Sequence, residues 1–175
     1  MGKHYKEILN DITTFILDID GVLTDGTVLV TTSGELLRNM NIKDGYALKT
    51  AIDKGYTICI ISGGSNDGVR LRLEGLGIKE IHLGVKDKIQ CLNTFLKQHS
   101  INPEHALYMG DDIPDYNVMQ QVGLPACPQD AVPEIKAISK YISHKNGGNG
   151  AVRDVIEQTL KVQGNWMQNF SAKYD

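Results

Sequence analysis

The sequence predicts an α/β protein: a Rossmann-like, largely parallel β-sheet flanked by helices, with a β-hairpin and no cap domain. Three observations carry this expectation. Short apolar runs of strand length alternate with stretches of helical periodicity along the chain. Most of these runs end at a polar or glycine-rich cluster rather than a two-residue hairpin turn, as parallel strands joined by helical crossovers require. The only segment read as an antiparallel pair is confined to about 26–42.

The first strand is Thr13 to Leu17, β-rich and stopping at Asp18. Thr27 to Val30 and Leu36 to Ile42 flank Thr32-Ser33-Gly34, the pattern of a hairpin with a glycine-containing turn. A helix is expected from Asp44, read as its N-cap, through Lys54, with Gly55 closing it. Thr57 to Ile61 is a second buried strand, ended by Ser62-Gly63-Gly64. The helix after it carries Val69, Leu73 and Leu76 on one face and stops at Gly77. Glu80 to Leu83 is a third strand. Lys86 to Gln98 is amphipathic, its apolar face made by Ile89, Leu92, Phe95 and Leu96. Ala106 to Met109 is a fourth strand, followed by Gly110-Asp111-Asp112 and a short helix to Val122. Leu124 to Cys127 is a fifth. Residues 1–175 read as one domain, with a C-terminal tail from about residue 164, where Trp166, Phe170 and Tyr174 form either an aromatic face or a loose end.

Composition narrows the function classes. A net charge of -3 gives no basic field for nucleic acid or anionic lipid, and the 41% hydrophobic content is ordinary for a globular chain. No apolar run is long enough to span a bilayer, and Asp11 and Asp18 interrupt the first one, so no secretory leader is expected. Cys59, Cys91 and Cys127 are odd in number and lack a CxxC pair, which fits reduced thiols. The expectation is a soluble cytoplasmic protein that binds a small molecule, without nucleic acid or membrane partners. The five histidines show no ligand spacing for a metal. Gly147-Gly148-Asn149-Gly150 reads equally as a flexible turn or a substrate loop.

Open parallel sheets place their sites outside the carboxyl ends of the strands. Asp18-Ile19-Asp20-Gly21 follows the first strand, Ser62-Gly63-Gly64 the second and Gly110-Asp111-Asp112 the fourth, with Asp115 close by; Lys88 begins the helix after the third. Carboxylates from two strand ends, Asp18 and Asp111, can share a hard divalent cation such as Mg2+. Asp18 can also attack phosphorus and become an aspartyl-phosphate. Ser62, the backbone N–H groups that follow it and Lys88 would hold the phosphoryl oxygens, with Gly63 and Gly64 allowing close approach. Asp20 can protonate the leaving alkoxide and later deprotonate the attacking water. A phosphoacceptor signalling domain uses similar residues, but there an acidic pair follows the first strand and the phosphorylated Asp a later one.

The stretches DIDGVLTDG, ISG and GDDIPD, with Lys88 between the last two, resemble the four motifs of the haloacid dehalogenase superfamily of phosphatases, in order. That resemblance implies Asp18 as nucleophile, Asp20 as acid/base and Lys88 as the charge-neutralising catalytic lysine. It implies Ser62 and Gly63 as phosphate ligands, and Asp18, Asp111 and the backbone carbonyl of Asp20 as magnesium ligands. Adding the hairpin, LRLEGLGI, VKDK and GGNGAVRDVIE, the chain resembles the branch acting on 3-deoxy-D-manno-octulosonate 8-phosphate in lipopolysaccharide biosynthesis. This implies a homotetramer with intersubunit active sites, a sugar-acid phosphate as substrate and Arg72, or Arg70 instead, as a ligand for its carboxylate. Phosphatases for nine-carbon, sialic-acid-type 9-phosphates are the nearest alternative. At Gly64, many members of the family carry a larger polar or charged residue.

Overall fold

The computed structural model describes residues 5–167. Its main sheet has six strands, all parallel, in the order β5-β4-β1-β6-β7-β8. These are β1 (Thr14–Leu17), β4 (Thr57–Ile61), β5 (Glu80–His82), β6 (Ala106–Met109), β7 (Leu124–Cys127) and β8 (Tyr141–Ile142). Thr14 aligns with Thr57 on one side and Ala106 on the other, so β1 is the central strand. The chain first builds outward from β1 through β4 and β5, then returns to β6 on its other side. The order therefore reverses between β1 and β6, and their carboxyl ends open the crevice that such sheets use for ligands.

Buried strands with alternating faces explain the two-sided core. Phe15 and Leu17 join Ile58, Ile60, Leu107 and Met109 on one face, against helices α2 (Ile42–Asp53) and α7 (Ala151–Val162). Ile16, Cys59, Ile61 and Tyr108 point to the other, against α4 (Lys88–Gln98) and the short α5 (Tyr116–Met119). Both faces are covered, so these strands read as nearly continuous apolar runs. Helix α7 places Val152, Val155, Ile156 and Leu160 inward at helical spacing. Each such aliphatic side chain contributes roughly 1.5–3 kcal/mol of burial free energy.

The expected hairpin is present but short: β2 (Leu29–Val30) pairs antiparallel with β3 (Leu36–Leu37). Helix α2 begins earlier than expected. Asn41, extended at φ -84° and ψ 126°, is its N-cap and accepts from Lys43 N at 2.8 Å. Asp44 lies inside the first turn, buried, and instead accepts from the backbone N of Arg153 at 2.7 Å, so it caps α7 across the core. Helix α3 (Asp67–Gly75) has Asn66 as its N-cap. Not expected were α1 (Tyr5–Leu9), a 3-10 turn at Pro103–His105, α6 (Pro133–Ile138) and the edge strand β8. Among the described residues no helix is long and apolar enough to cross a membrane, and the three cysteines form no disulfide. Trp166 packs against the core with the Arg153 guanidinium 5.6 Å from its ring centre; Phe170 and Tyr174 lie outside the described residues.

Candidate active site

The loop after β1 is a tight, self-bonded turn. The carbonyl of Ile19 accepts from the backbone N of Val22, Leu23 and Thr24. Buried Thr24 adds its hydroxyl, which lies 3.3 Å from Gly21 N and 3.3 Å from Ile19 O. The turn directs Asp18 into the crevice and fixes its rotamer, because Asp18 Oδ1 accepts from Ile19 N at 2.7 Å. Gly21 is indispensable there. Its φ is +82°, and a Cβ would fall 2.0 Å from the carboxylate of Asp111.

Three carboxylates converge: oxygens of Asp18, Asp111 and Asp115 all lie within 4.8 Å of one another. Lys88, at the first turn of α4, reaches into the group. Its Nζ donates to Asp18 Oδ2 at 2.9 Å and to Asp115 Oδ1 at 2.8 Å. Asp115 is otherwise fully used, since Tyr108 Oη donates to Oδ1 at 2.8 Å and Asp111 N to Oδ2 at 3.3 Å. Asp18 accepts two such bonds, from Ile19 N and Lys88, against three at Asp115, so Asp18 and Asp111 are the better candidates for a cation while Asp115 holds Lys88. Hard oxygen donors of two strand ends at this spacing fit magnesium better than a soft or imidazole-preferring metal.

The electrostatics follow from burial and crowding. Asp18 is pushed up to about 6 by burial and then by Asp115, with Lys88 opposing. Asp111 is pushed up to about 7 by burial and by Asp115, Asp18 and Asp112. Burial pulls the Lys88 ammonium down, but Asp115 and Asp18 outweigh it and the net shift is upward. Burial, then Asp115 and Asp18, raise the Tyr108 phenol. One lysine does not balance this group of acids, which is the condition under which a divalent cation is attracted.

The other expected residues divide. Ser62 is buried at the end of β4 and lines a small cavity with Asp20, Gly64 and Arg38. Gly63 has ordinary space around it; Gly64 is the crowded position, where a Cβ would lie 3.1 Å from Asp20 Oδ2. Arg72 is apart from the carboxylates. It lines a cavity of about 650 Å3 beneath the hairpin, with Leu29, Arg38 and Asn66 among its walls. Arg70 faces elsewhere, donating to Ile81 O at 3.3 Å and lying 4.0 Å from Glu74.

Sequence reasoning missed Arg38 and Tyr108, and it noted Asp115 without giving it a role. Arg38 pairs with Asp20 at 2.7 Å. Tyr108 and Asp115 support Lys88 from within the core, and the only sequence signal was a Tyr in a buried strand preceding the Asp cluster. The Gly147–Gly150 loop, which reads equally as a flexible turn or a substrate loop, packs behind the loop after β1. It buttresses the loop after β1: Gly148 N donates to Val22 O at 2.9 Å, and a Cβ on Gly147 would overlap Gly21 O at 1.9 Å.

Comparison with known proteins agrees with this arrangement. Residues 79–156 match the haloacid dehalogenase-like hydrolase family. The 3-deoxy-D-manno-octulosonate 8-phosphate phosphatase KdsC of Salmonella typhi is 36% identical over 164 residues, 94% of this chain and 87% of that protein. A crystal structure of the phosphatase of the same name from Yersinia pestis superposes with a TM-score of 0.92 at 32% identity, covering 96% of this chain and 91% of that one. That from Moraxella catarrhalis, in complex with a magnesium ion, a phosphate ion and KDO, superposes at 0.89 with 34% identity and 92% of each chain. By motif order, strand topology and identity along nearly its whole length, the chain belongs to the haloacid dehalogenase-like hydrolases.

Proposed function

We propose that this chain is a magnesium-dependent phosphatase that hydrolyses 3-deoxy-D-manno-octulosonate 8-phosphate to the free sugar acid and phosphate. The observation that carries the reading is buried Asp18, fixed by Ile19 N and Lys88 at the mouth of the sheet, with Asp111 within 4.8 Å. The substrate is that of the curated relatives at 36% identity. The reaction would be a step toward the inner-core sugar of lipopolysaccharide.

In this reading Asp18, Asp111 and the backbone carbonyl of Asp20 hold the magnesium ion. The ion screens the repulsion between carboxylate and phosphate. Asp18 attacks phosphorus through the oxygen that its bond to Ile19 N leaves oriented. Ser62 and Lys88 bear on the phosphoryl oxygens, where charge is greatest in the transition state. Asp20 gives a proton to the leaving alkoxide, then takes one from the water that releases phosphate. Arg72, which lines the cavity beneath the hairpin, is taken as the ligand for the carboxylate of the sugar acid.

We further infer a capless, cytoplasmic homotetramer in which a neighbouring subunit completes each site. The hairpin supports this: Leu29 is 69% and Val30 62% exposed, with Leu36 and Leu37 also exposed beside the cavity. Light scattering of the eluting protein tests the oligomer. Phosphate release from a panel of sugar phosphates with magnesium, with Asp18→Asn as control, tests the activity. Release at the highest kcat/KM from the eight-carbon compound is expected. Preference for a nine-carbon acid 9-phosphate would overturn the substrate, and stoichiometric phosphorylation without turnover would overturn the phosphatase reading in favour of a signalling domain.

A further inference from the structure

We propose that Arg38, delivered to the site by the hairpin, is a positioning residue that aims the Asp20 carboxyl at the leaving-group oxygen. This rests on the phosphatase reading above. The contact is a two-pronged fork: Arg38 Nε donates to Asp20 Oδ1 at 2.7 Å and Nη2 to Oδ2 at 3.2 Å. A planar guanidinium engaged with both oxygens fixes the plane of the carboxyl as well as its position, which a point charge would not do.

The arginine is itself held. Its Nη1 donates to Leu36 O at 3.0 Å, and the same carbonyl accepts from Asn66 Nδ2 at 3.0 Å. Asn66 caps α3 through Val69 N. The hairpin strand that precedes Arg38 is thus tied, through Leu36, to the loop that follows Ser62. Burial sets the direction of the pair. The Arg38 side chain is 9% exposed and that of Asp20 39%, so the carboxyl is the more open member of the pair. Gly64 provides the space: a Cβ there would lie 3.1 Å from Asp20 Oδ2 and 3.5 Å from Arg38 Nη2. The bare backbone at 64 and the arginine at 38 form a matched pair.

The chemistry uses this geometry twice. In the first step the Asp18–phosphorus bond forms, the ester P–O bond breaks, and the Asp20 proton goes to the departing oxygen. Asp20 is left as a carboxylate already fitted by two donors, so Arg38 acts where charge develops. In the second step water bonds to phosphorus, the Asp18–phosphorus bond breaks, and Asp20 receives the water proton.

The test compares kcat/KM of Arg38→Ala and Arg38→Lys on two esters. One is 3-deoxy-D-manno-octulosonate 8-phosphate, an alkyl ester whose leaving group needs a proton. The other is p-nitrophenyl phosphate, whose leaving group departs without one. For Arg38→Ala the alkyl ester is expected to lose about 10²-fold and the nitrophenyl ester less than about 3-fold, since general acid catalysis contributes on that scale or above. Arg38→Lys, which keeps the charge and loses the fork, falls between. Activity on the nitrophenyl ester together with an unchanged circular dichroism spectrum reports that each variant is folded. Equal losses on both esters, or none on the alkyl ester, would overturn the assignment while leaving the phosphatase reading intact. If the unmodified chain releases phosphate from neither ester, that reading falls and this one with it.

Discussion

Lys88→Met isolates the electrostatic problem at the centre of the site. The ammonium lies 2.9 Å from Asp18 and 2.8 Å from Asp115 and is largely buried, and Asp111 is within 4.8 Å of both acids. Methionine keeps the length and apolar stem of the side chain but leaves the carboxylates without their one bonded cation. Breaking a buried pair by removing one partner costs about 3–5 kcal/mol, because the remaining charge stays desolvated. For a domain of this size, that corresponds to a melting temperature lower by about 10 °C. The loss must depend on pH. Asp18 and Asp111 already sit at about 6 and about 7, above their ordinary value of 3.8. Their folded values are raised, so their ionisation destabilises the fold above those pH values and the penalty is relieved as pH falls through them. The gap between the variant and the unmodified protein should therefore be widest near pH 8 and shrink toward pH 6. Magnesium should shrink it too, since the variant offers the ion a more negative site. Urea denaturation at both pH values, in chelator and in magnesium, measures this. A gap below about 1 kcal/mol in chelator at pH 8, where a buried pair predicts several, would refute the reasoning, as would one insensitive to magnesium.

Asp44→Asn tests a buried acid outside the active site. Asp44 is pushed up to about 6 by burial, against the bonds it accepts from the backbone at Arg153 and Gly150, and its Oδ2 has no partner among the described residues. Between about pH 4 and pH 6 the native state holds this proton and the unfolded chain does not, so stability from this group falls as pH rises, by about 3 kcal/mol in all. In the variant that slope should vanish from the pH dependence of unfolding, and an unchanged slope would show that Asp44 titrates normally. Gly147→Ala should cost about 1–3 kcal/mol by overpacking. It should also lower kcat, because its Cβ would stand 1.9 Å from Gly21 O in the loop that directs Asp18. Calorimetry with a phosphate-release assay checks both, and an unperturbed kcat would show that the buttress does not set the loop.

Much of this molecule is local and therefore legible in the sequence. The strands at Thr57–Ile61, Ala106–Met109 and Leu124–Cys127 have the bounds that their apolar runs predict, since parallel strands covered on both faces need uninterrupted hydrophobicity. Asp18, Ser62, Lys88 and Asp111 stood out as candidates because each stands at the end of such a run or just inside the next helix, the places where this topology gathers side chains. The elements that were missed, Tyr5–Leu9, Pro103–His105, Pro133–Ile138 and the two-residue edge strand Tyr141–Ile142, are too short to show a period.

The tertiary structure decided whatever depends on residues distant in the chain. No local pattern links Asp44 to the first turn of α7, 109 residues later, so a carboxylate that reads as a cap for its own helix caps another. The same holds for the bond from Lys88 to Asp18 across 70 residues, and for Asp115, whose place in a turn is local but whose grip on Lys88 and Tyr108 is not. Gly147 reads as part of a flexible turn or a substrate loop, and the backbone packed against it leaves no room for a Cβ. The sequence alone determined which groups could carry the chemistry, because residue type and strand position suffice for that. Their partners were set by folding: Arg38 behind Asp20, Asp115 and Tyr108 behind Lys88, and a glycine loop behind Gly21. Orientation and charge balance come from contacts that form only when the sheet closes.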